Sequence, residues 1–174
     1  MANLMYALSV ETFIPTLNAL SALLDKASAQ KGGEAEQLVG AQLAPDMFPL
    51  SRQVQIACDQ AKSGVARLAG QEPPKYEDDE KTLADLKARI AKTLAFIETV
   101  PASAFEGAET RQIAFPLRDG MGLQADGVRF LKDWALPNFY FHVVTAYDIL
   151  RHNGVEIGKQ DYLARSRDLI RQAA

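Results

Sequence analysis

The chain is poor in the residues that most reactive sites are built from. One cysteine, Cys58, and two histidines, His142 and His152, occur in 174 residues. A single cysteine excludes an internal disulfide and a cysteine-based metal cluster. Neither HxxxH nor ExxH occurs, and the one Gly-x-Gly, Gly120 to Gly122, has no strand-to-helix setting, so a phosphate loop is excluded as well. No basic block interrupts a net charge of −3, which argues against nucleic acid or an anionic membrane surface as partner. Neither a charged leader with an apolar segment behind it nor an unbroken 18-residue apolar run is apparent. The expectation is a cytoplasmic protein without a membrane segment.

What is present is helical periodicity. Hydrophobic residues make up 48% of a chain long enough for one substantial core. A first helix is expected from about Thr12 to about Ala29, carried by Leu17, Leu20, Leu24 and Ala27 and stopped by Gly32-Gly33. A second is expected from an Asp46 cap through Leu50, Val54, Ala57, Ala61, Val65 and Leu68, ending at Gly70. A third is expected from Asp78 or Asp79 to about Val100, with Asp78, Asp79 and Glu80 complementing the positive end of its dipole. That carboxylate cluster is also a weak metal candidate. Between the third and fourth helices, Arg111 to Leu117 and Gly127 to Leu131 read as a short β-hairpin or two extended pieces. The expected domain covers 1–164, with a loosely held tail at 165–174.

The stretch Ala135 to Gly154 is the most apolar helix-length run and holds both histidines. Pro137 suits a first turn and Gly154 the residue past the end. At about 100° per residue, Phe139, His142, Val143, Ala146, Ile149 and Leu150 share one face, while His152 points outward. Asn138 lies near His142 in angle, and Thr145 adjoins it at helical spacing. Phe141 and Val144 fall on the outer half, so a cover on more than one side is expected. His142 is thus the inward polar candidate, and Gln53 on the second helix is a candidate partner. Tyr140 and Tyr147 are candidate ligand anchors. A satisfied core histidine is the plain alternative, since buried polar groups must be paired wherever they occur. Cys58, at the edge of its helix stripe, reads as a small buried apolar residue.

Three runs carry a family resemblance: YALSVETFIPTLNALSALLDKA (Tyr6 to Ala27), LAPDMFPLSRQV (Leu43 to Val54) and LPNFYFHVVTAYDILRHNGVEIGKQDYL (Leu136 to Leu163). Together they resemble an uncharacterised bacterial domain-of-unknown-function family in the DinB/YfiT-like superfamily of helical bundles, over about Met5 to Leu163. The resemblance implies an all-α four-helix bundle, often a homodimer. It also implies a site where relatives hold a divalent metal with one histidine on the second helix and two on the fourth, in some cases for thiol-dependent transfer or isomerisation. This sequence departs from that pattern. Its second helix has no histidine, Gln53 being the nearest inward polar residue, and Ala146 stands one turn beyond His142. His152 stands roughly where relatives have a histidine before Arg-Gly.

The leading expectation is therefore a metal-independent small-molecule-binding protein with a degenerate site around His142, Asn138, Gln53, Thr145 and Tyr147. No cofactor is expected, and His142 is only a weak metal candidate. A metal- and thiol-dependent transferase or isomerase, and a non-catalytic dimeric interaction protein, are the alternatives. Whether the chain is an enzyme stays open.

Overall fold

In the computed structural model, which describes residues 3–117 and 119–170, four long helices form a bundle. Helix α1 spans Leu4–Lys31, α2 Leu50–Leu68, α3 Leu83–Glu98 and α4 Leu136–His152. A 3₁₀ segment, Gly32–Gly40, follows α1. The hairpin β1 (Ile113–Pro116) and β2 (Gly122–Ala125) lies between α3 and α4, and a one-turn helix α5 (Lys159–Tyr162) follows α4. Of the expected tail, 171–174 lie outside the described residues; Ala164–Leu169 form a 3₁₀ segment in which Arg165 donates to the Thr12 carbonyl (3.5 Å).

Pairings along the bundle fix its topology. Phe13 packs edge-on against Phe139 (centroids 4.8 Å), and the Gln30 amide oxygen accepts from the Glu156 N–H (2.7 Å), so α1 and α4 run parallel. Gly64 lies near Ala135 while Gln53 meets His142, so α2 runs against α4. Lys87 pairs with Asp25 and Tyr6 packs on Phe105, so α3 runs against α1. Helices α2 and α3 are consequently parallel, and residues 69–82 cross the full length of the bundle between them. The core is a continuous apolar cluster with Phe13, Leu17, Leu20, Leu24, Val54, Ile90, Phe139 and Ile149 at or near zero exposure.

Helix starts depart from the sequence expectations, each for a local reason. Helix α1 begins at Leu4 rather than Thr12, because Asn3 caps it by accepting from the Tyr6 N–H (3.1 Å). Pro15 therefore sits inside α1. An interior proline costs about 3 kcal/mol, which the burial of Met5, Val10, Phe13, Leu17 and Leu20 on both sides of it offsets. By length and composition the helical stretch Leu4–Gly40 is apolar enough to cross a membrane, and half of its apolar window is buried inside the bundle.

Helix α2 begins at Leu50, not at an Asp46 cap: Pro49 is the N-cap, and the residue before a proline is pushed out of helical conformation. Helix α3 begins at Leu83, not Asp78 or Asp79. Thr82 and Asp85 form a reciprocal capping box, Thr82 Oγ1 accepting from Asp85 N–H and Asp85 Oδ2 from Thr82 N–H, both at 3.0 Å. The backbone N–H groups and the Thr82 hydroxyl hold the Asp85 carboxyl below the usual carboxylate range.

The expected second strand, Gly127 to Leu131, is helical instead. Asp126 caps a turn at Gly127–Arg129 by accepting from the Arg129 N–H (2.8 Å). The run continues as a π-helix over Phe130–Ala135 and passes directly into α4. Pro137 is therefore interior to a continuous helical run. Its missing N–H leaves a gap in the i to i−4 ladder, and the wider π-turns, such as Leu136 N–H to the Leu131 carbonyl, accommodate that gap. The wide turns also keep Gly127, Leu131 and Ala135, all buried, on one face despite spacings of four. An ideal α-helix would drift about 40° at each such step.

Candidate functional site

His142 faces inward as its spacing implies, with 9% of its surface exposed, while His152 is exposed. Its Nδ1 lies 2.7 Å from Gln53 Oε1. The Gln53 amide is pinned at its other end, Nε2 donating to the Phe48 carbonyl (3.0 Å), so Oε1 must face the imidazole. Nδ1 therefore carries the proton, and Nε2 keeps its lone pair. Phe141 stands edge-on to the ring (centroids 5.2 Å), and the Arg52 guanidinium lies over Phe48 at 6.0 Å. Burial first, and the positive charge of Arg52 second, press the His142 pKa down to about 4 from the usual 6.5. The ring is a neutral hydrogen-bond acceptor at neutral pH.

That shift has a signed consequence. The unfolded chain takes up the His142 proton first as pH falls, so the stability linked to this group is complete above about pH 6.5 and is lost progressively down to about pH 4. The slope from this one group is at most about 1.4 kcal/mol per pH unit. Denaturant unfolding at pH 7 and pH 5 should show the loss, and His142→Gln should remove that part of it. At pH 7, His142→Ala should cost roughly 1–3 kcal/mol through the stranded Gln53 amide; an unchanged midpoint would show that the pair contributes nothing to folding.

The polar groups of the other candidate residues bond elsewhere than to His142. Asn138 Nδ2 donates to the Trp134 carbonyl (2.7 Å), which places it at the π-segment as a filler of the widened ladder. Thr145 Oγ1 donates to the Phe141 carbonyl of its own helix (2.7 Å). Tyr147 packs on Tyr162 of α5 (6.5 Å). Of the candidate residues, Gln53 and His142 are the pair joined by a hydrogen bond.

The donor set around His142 does not fit a metal. Gln53 Oε1 is occupied by the imidazole N–H, Ala146 offers nothing, and no group of three His, Cys, Asp or Glu able to hold an ion occurs among the described residues. Asp78 and Glu80 of the acidic cluster are also engaged. Arg89, whose side chain is 1% exposed, binds Asp59 (2.9 Å), Asp78 (3.0 Å) and Glu80 (2.9 Å), and donates to the Glu77 carbonyl (2.8 Å). Gln55 donates to the second Glu80 oxygen (2.8 Å), and Lys62 binds Asp59 (2.6 Å). The only buried side-chain polar atom left without a partner among the described residues is Arg89 Nε. Sequence reading missed this hub because it assigned the carboxylates to a helix cap; the signal that could have exposed it was the Thr82-x-x-Asp85 box, which already supplies that cap.

Cys58 is fully buried beside Thr93, and burial pushes its thiol up to about 12. It is a core residue and not an available nucleophile.

Comparison with known proteins agrees with this architecture. Residues 5–163 match the family described as a domain of unknown function, DUF1993. A protein of Shewanella denitrificans, described as a DinB family member and known from its crystal structure, is 47% identical to this chain. The match covers 91% of this chain and 90% of that one, with a TM-score of 0.83. No curated protein matches.

Proposed function

The chain belongs to the DUF1993 family and shares the DinB-like bundle, and from that premise we propose that it is a metal-independent small-molecule-binding protein with a degenerate site at His142. The observation that carries this reading is the Gln53–His142 hydrogen bond. The resemblance implies a histidine on the second helix of metal-holding relatives; here the nearest inward polar residue of that helix is Gln53, whose amide oxygen accepts the imidazole N–H and leaves Nε2 as an acceptor for a ligand donor. Phe48 and Phe141, about half exposed, supply flat apolar surface beside it. Such a site would take a small molecule with an N–H or O–H donor set against an apolar or aromatic body.

The test has two arms. Metal content measured by mass spectrometry after loading with zinc, nickel or manganese should stay far below one ion per chain. A value near one, lost in His142→Ala, would overturn the reading in favour of the metal- and thiol-dependent transferase or isomerase. In parallel, a fragment library is screened by the ¹⁵N shifts of the His142 imidazole. Hits that move Nε2 and are lost in His142→Ala support the reading, and a library without hits counts against it.

A second reading is favoured by one specific observation: Phe141 at 57%, Phe48 at 49% and Val144 at 39% exposure leave an apolar strip beside His142. On this reading the strip is the face of a homodimer. Sedimentation of the wild type and of Phe141→Glu separates the two: a dimer that becomes a monomer in the variant supports the interaction protein.

A further inference from the structure

At the opposite end of α2 from Gln53, a cleft of about 340 Å³ opens between the helix end, residues 70–72 and strand β1. We propose that this cleft is a binding site for a small oxyanion, a carboxylate or a phosphate group, read by Arg67.

Arg67 is held in place by an aromatic ring. Its guanidinium lies 4.1 Å over the Phe115 ring. Phe115 is itself fixed by edge contacts to Phe130 (6.2 Å) and Trp134 (6.4 Å). An arginine stacked in this way loses its freedom to wander but keeps the in-plane N–H groups that bind oxyanions two at a time. Among the described residues no hydrogen bond or ion pair within 4.0 Å uses those donors. Partial burial lowers the Arg67 pKa, and Glu72 opposes that from beyond ion-pair distance.

The rest of the cleft adds donors and positive charge. Arg111 lines it while its own N–H groups hold the carbonyls of Leu68, Ala104 (3.3 Å) and Glu106 (3.1 Å). Arg111 is therefore a fixed charge and not a mobile one. Two arginines against Glu72 leave the lining at +1. Strand β1 contributes backbone. Leu117 N–H bonds the Met121 carbonyl (2.8 Å), which makes Phe115–Leu123 and Ile113–Ala125 the bonded pairs of the hairpin. Ala114, between them, turns its N–H to the open edge of β1, where it lines the cleft. Pro116, two residues on, has no N–H, so Ala114 offers the one edge donor of this strand. A fixed guanidinium fork and an edge N–H facing one cleft form a donor set suited to an oxyanion and lacking one.

The full chain is titrated with inorganic phosphate and, separately, with acetate at constant ionic strength, and followed by ¹H–¹⁵N NMR. Saturable shifts of the Ala114 amide and the Arg67 Nε–H are expected. Arg67→Gln should weaken the affinity about tenfold or more. Arg67→Lys, which keeps the charge and loses the fork, should weaken it as well. Phosphate binding more tightly assigns the site to phosphoryl ligands, and acetate binding more tightly assigns it to carboxylates. Shifts that rise linearly without saturation, or that survive Arg67→Gln in a variant with an unchanged melting temperature, would overturn the proposal. Wild-type affinity in Arg67→Lys would overturn the role given to the fork. His142→Ala leaves this titration unaltered, so the result stands apart from the reading of the His142 site.

Discussion

Arg89→Met is expected to destabilise the protein by about 3 kcal/mol, because removing one partner of a buried ionic network strands the others. The side chain is 1% exposed and binds three carboxylates and one carbonyl. Asp59 and Asp78 are about one-third exposed and can turn to water, which places the cost at the lower end of the range for buried pairs. Glu80, at 9%, cannot turn away, and it carries the cost. For a domain of this size the loss corresponds to a fall in Tm of roughly 6–12 °C. Adding Glu80→Gln should recover part of it, because the stranded charge is then gone while the Gln55 bond has an acceptor left. The same variant should expose 69–82 to proteolysis, since Arg89 ties that crossing segment to α3. A Tm within about 2 °C of wild type would show that the network is electrostatically idle.

Gly127→Ala should be comparably severe for a different reason. A Cβ built on Gly127 would lie 1.8 Å from the Ala108 carbonyl oxygen and 2.9 Å from its carbon, with Leu68 at 3.3 Å. Backbone, not a flexible side chain, stands in the way, so either the turn after Phe105 or the start of the long helical run must move. Overpacking of this kind costs about 3 kcal/mol, the top of the usual range. The matched control is Gly33→Ala, where nothing lies within 4 Å and a change from neutral to a few tenths of a kcal/mol stabilising is expected. Urea unfolding of the two variants side by side decides the matter: equal midpoints would mean that the close approach at Ala108 is soft.

Much of the fold could be read from the chain, and the reasons are physical. The inward turn of His142, the outward turn of His152 and the stop at Gly32 follow from 3.6-residue periodicity and from the left-handed backbone at Gly32 and Gly154 (φ 51° and 76°). The Gln53–His142 pairing was legible because both are polar residues on otherwise apolar faces. The misreadings sit where a short-range polar cap competes with a pattern. Asn3, not Thr12, starts α1, and Thr82, not Asp78, caps α3. At Gly127, a β-like run of Val-Arg-Phe-Leu was overruled by the Asp126 cap. The positions of Asn138 and Thr145 were not legible as site or scaffold, because their choice depends on whether the helix around them is ideal. Asn138 closes onto the Trp134 carbonyl of the π-segment, and Thr145 onto the Phe141 carbonyl in the regular part of α4.

The π-segment at Phe130–Ala135 also sets the phase between two halves of the molecule. Each residue of an α-helix turns its neighbours by about 100°. Deleting one residue there would restore an ordinary helix and swing everything ahead of it by more than a quarter of a circle relative to Phe139 and His142. Phe130 and Trp134 hold Phe115, and through it the hairpin, so the hairpin would leave the end of α2 while the rest of the bundle stayed as it is. Length variation in this short stretch, in this chain or its relatives, is thus a rotational change and not a local one. Alignments that place a gap there should be read as reorienting one end of the protein against the other.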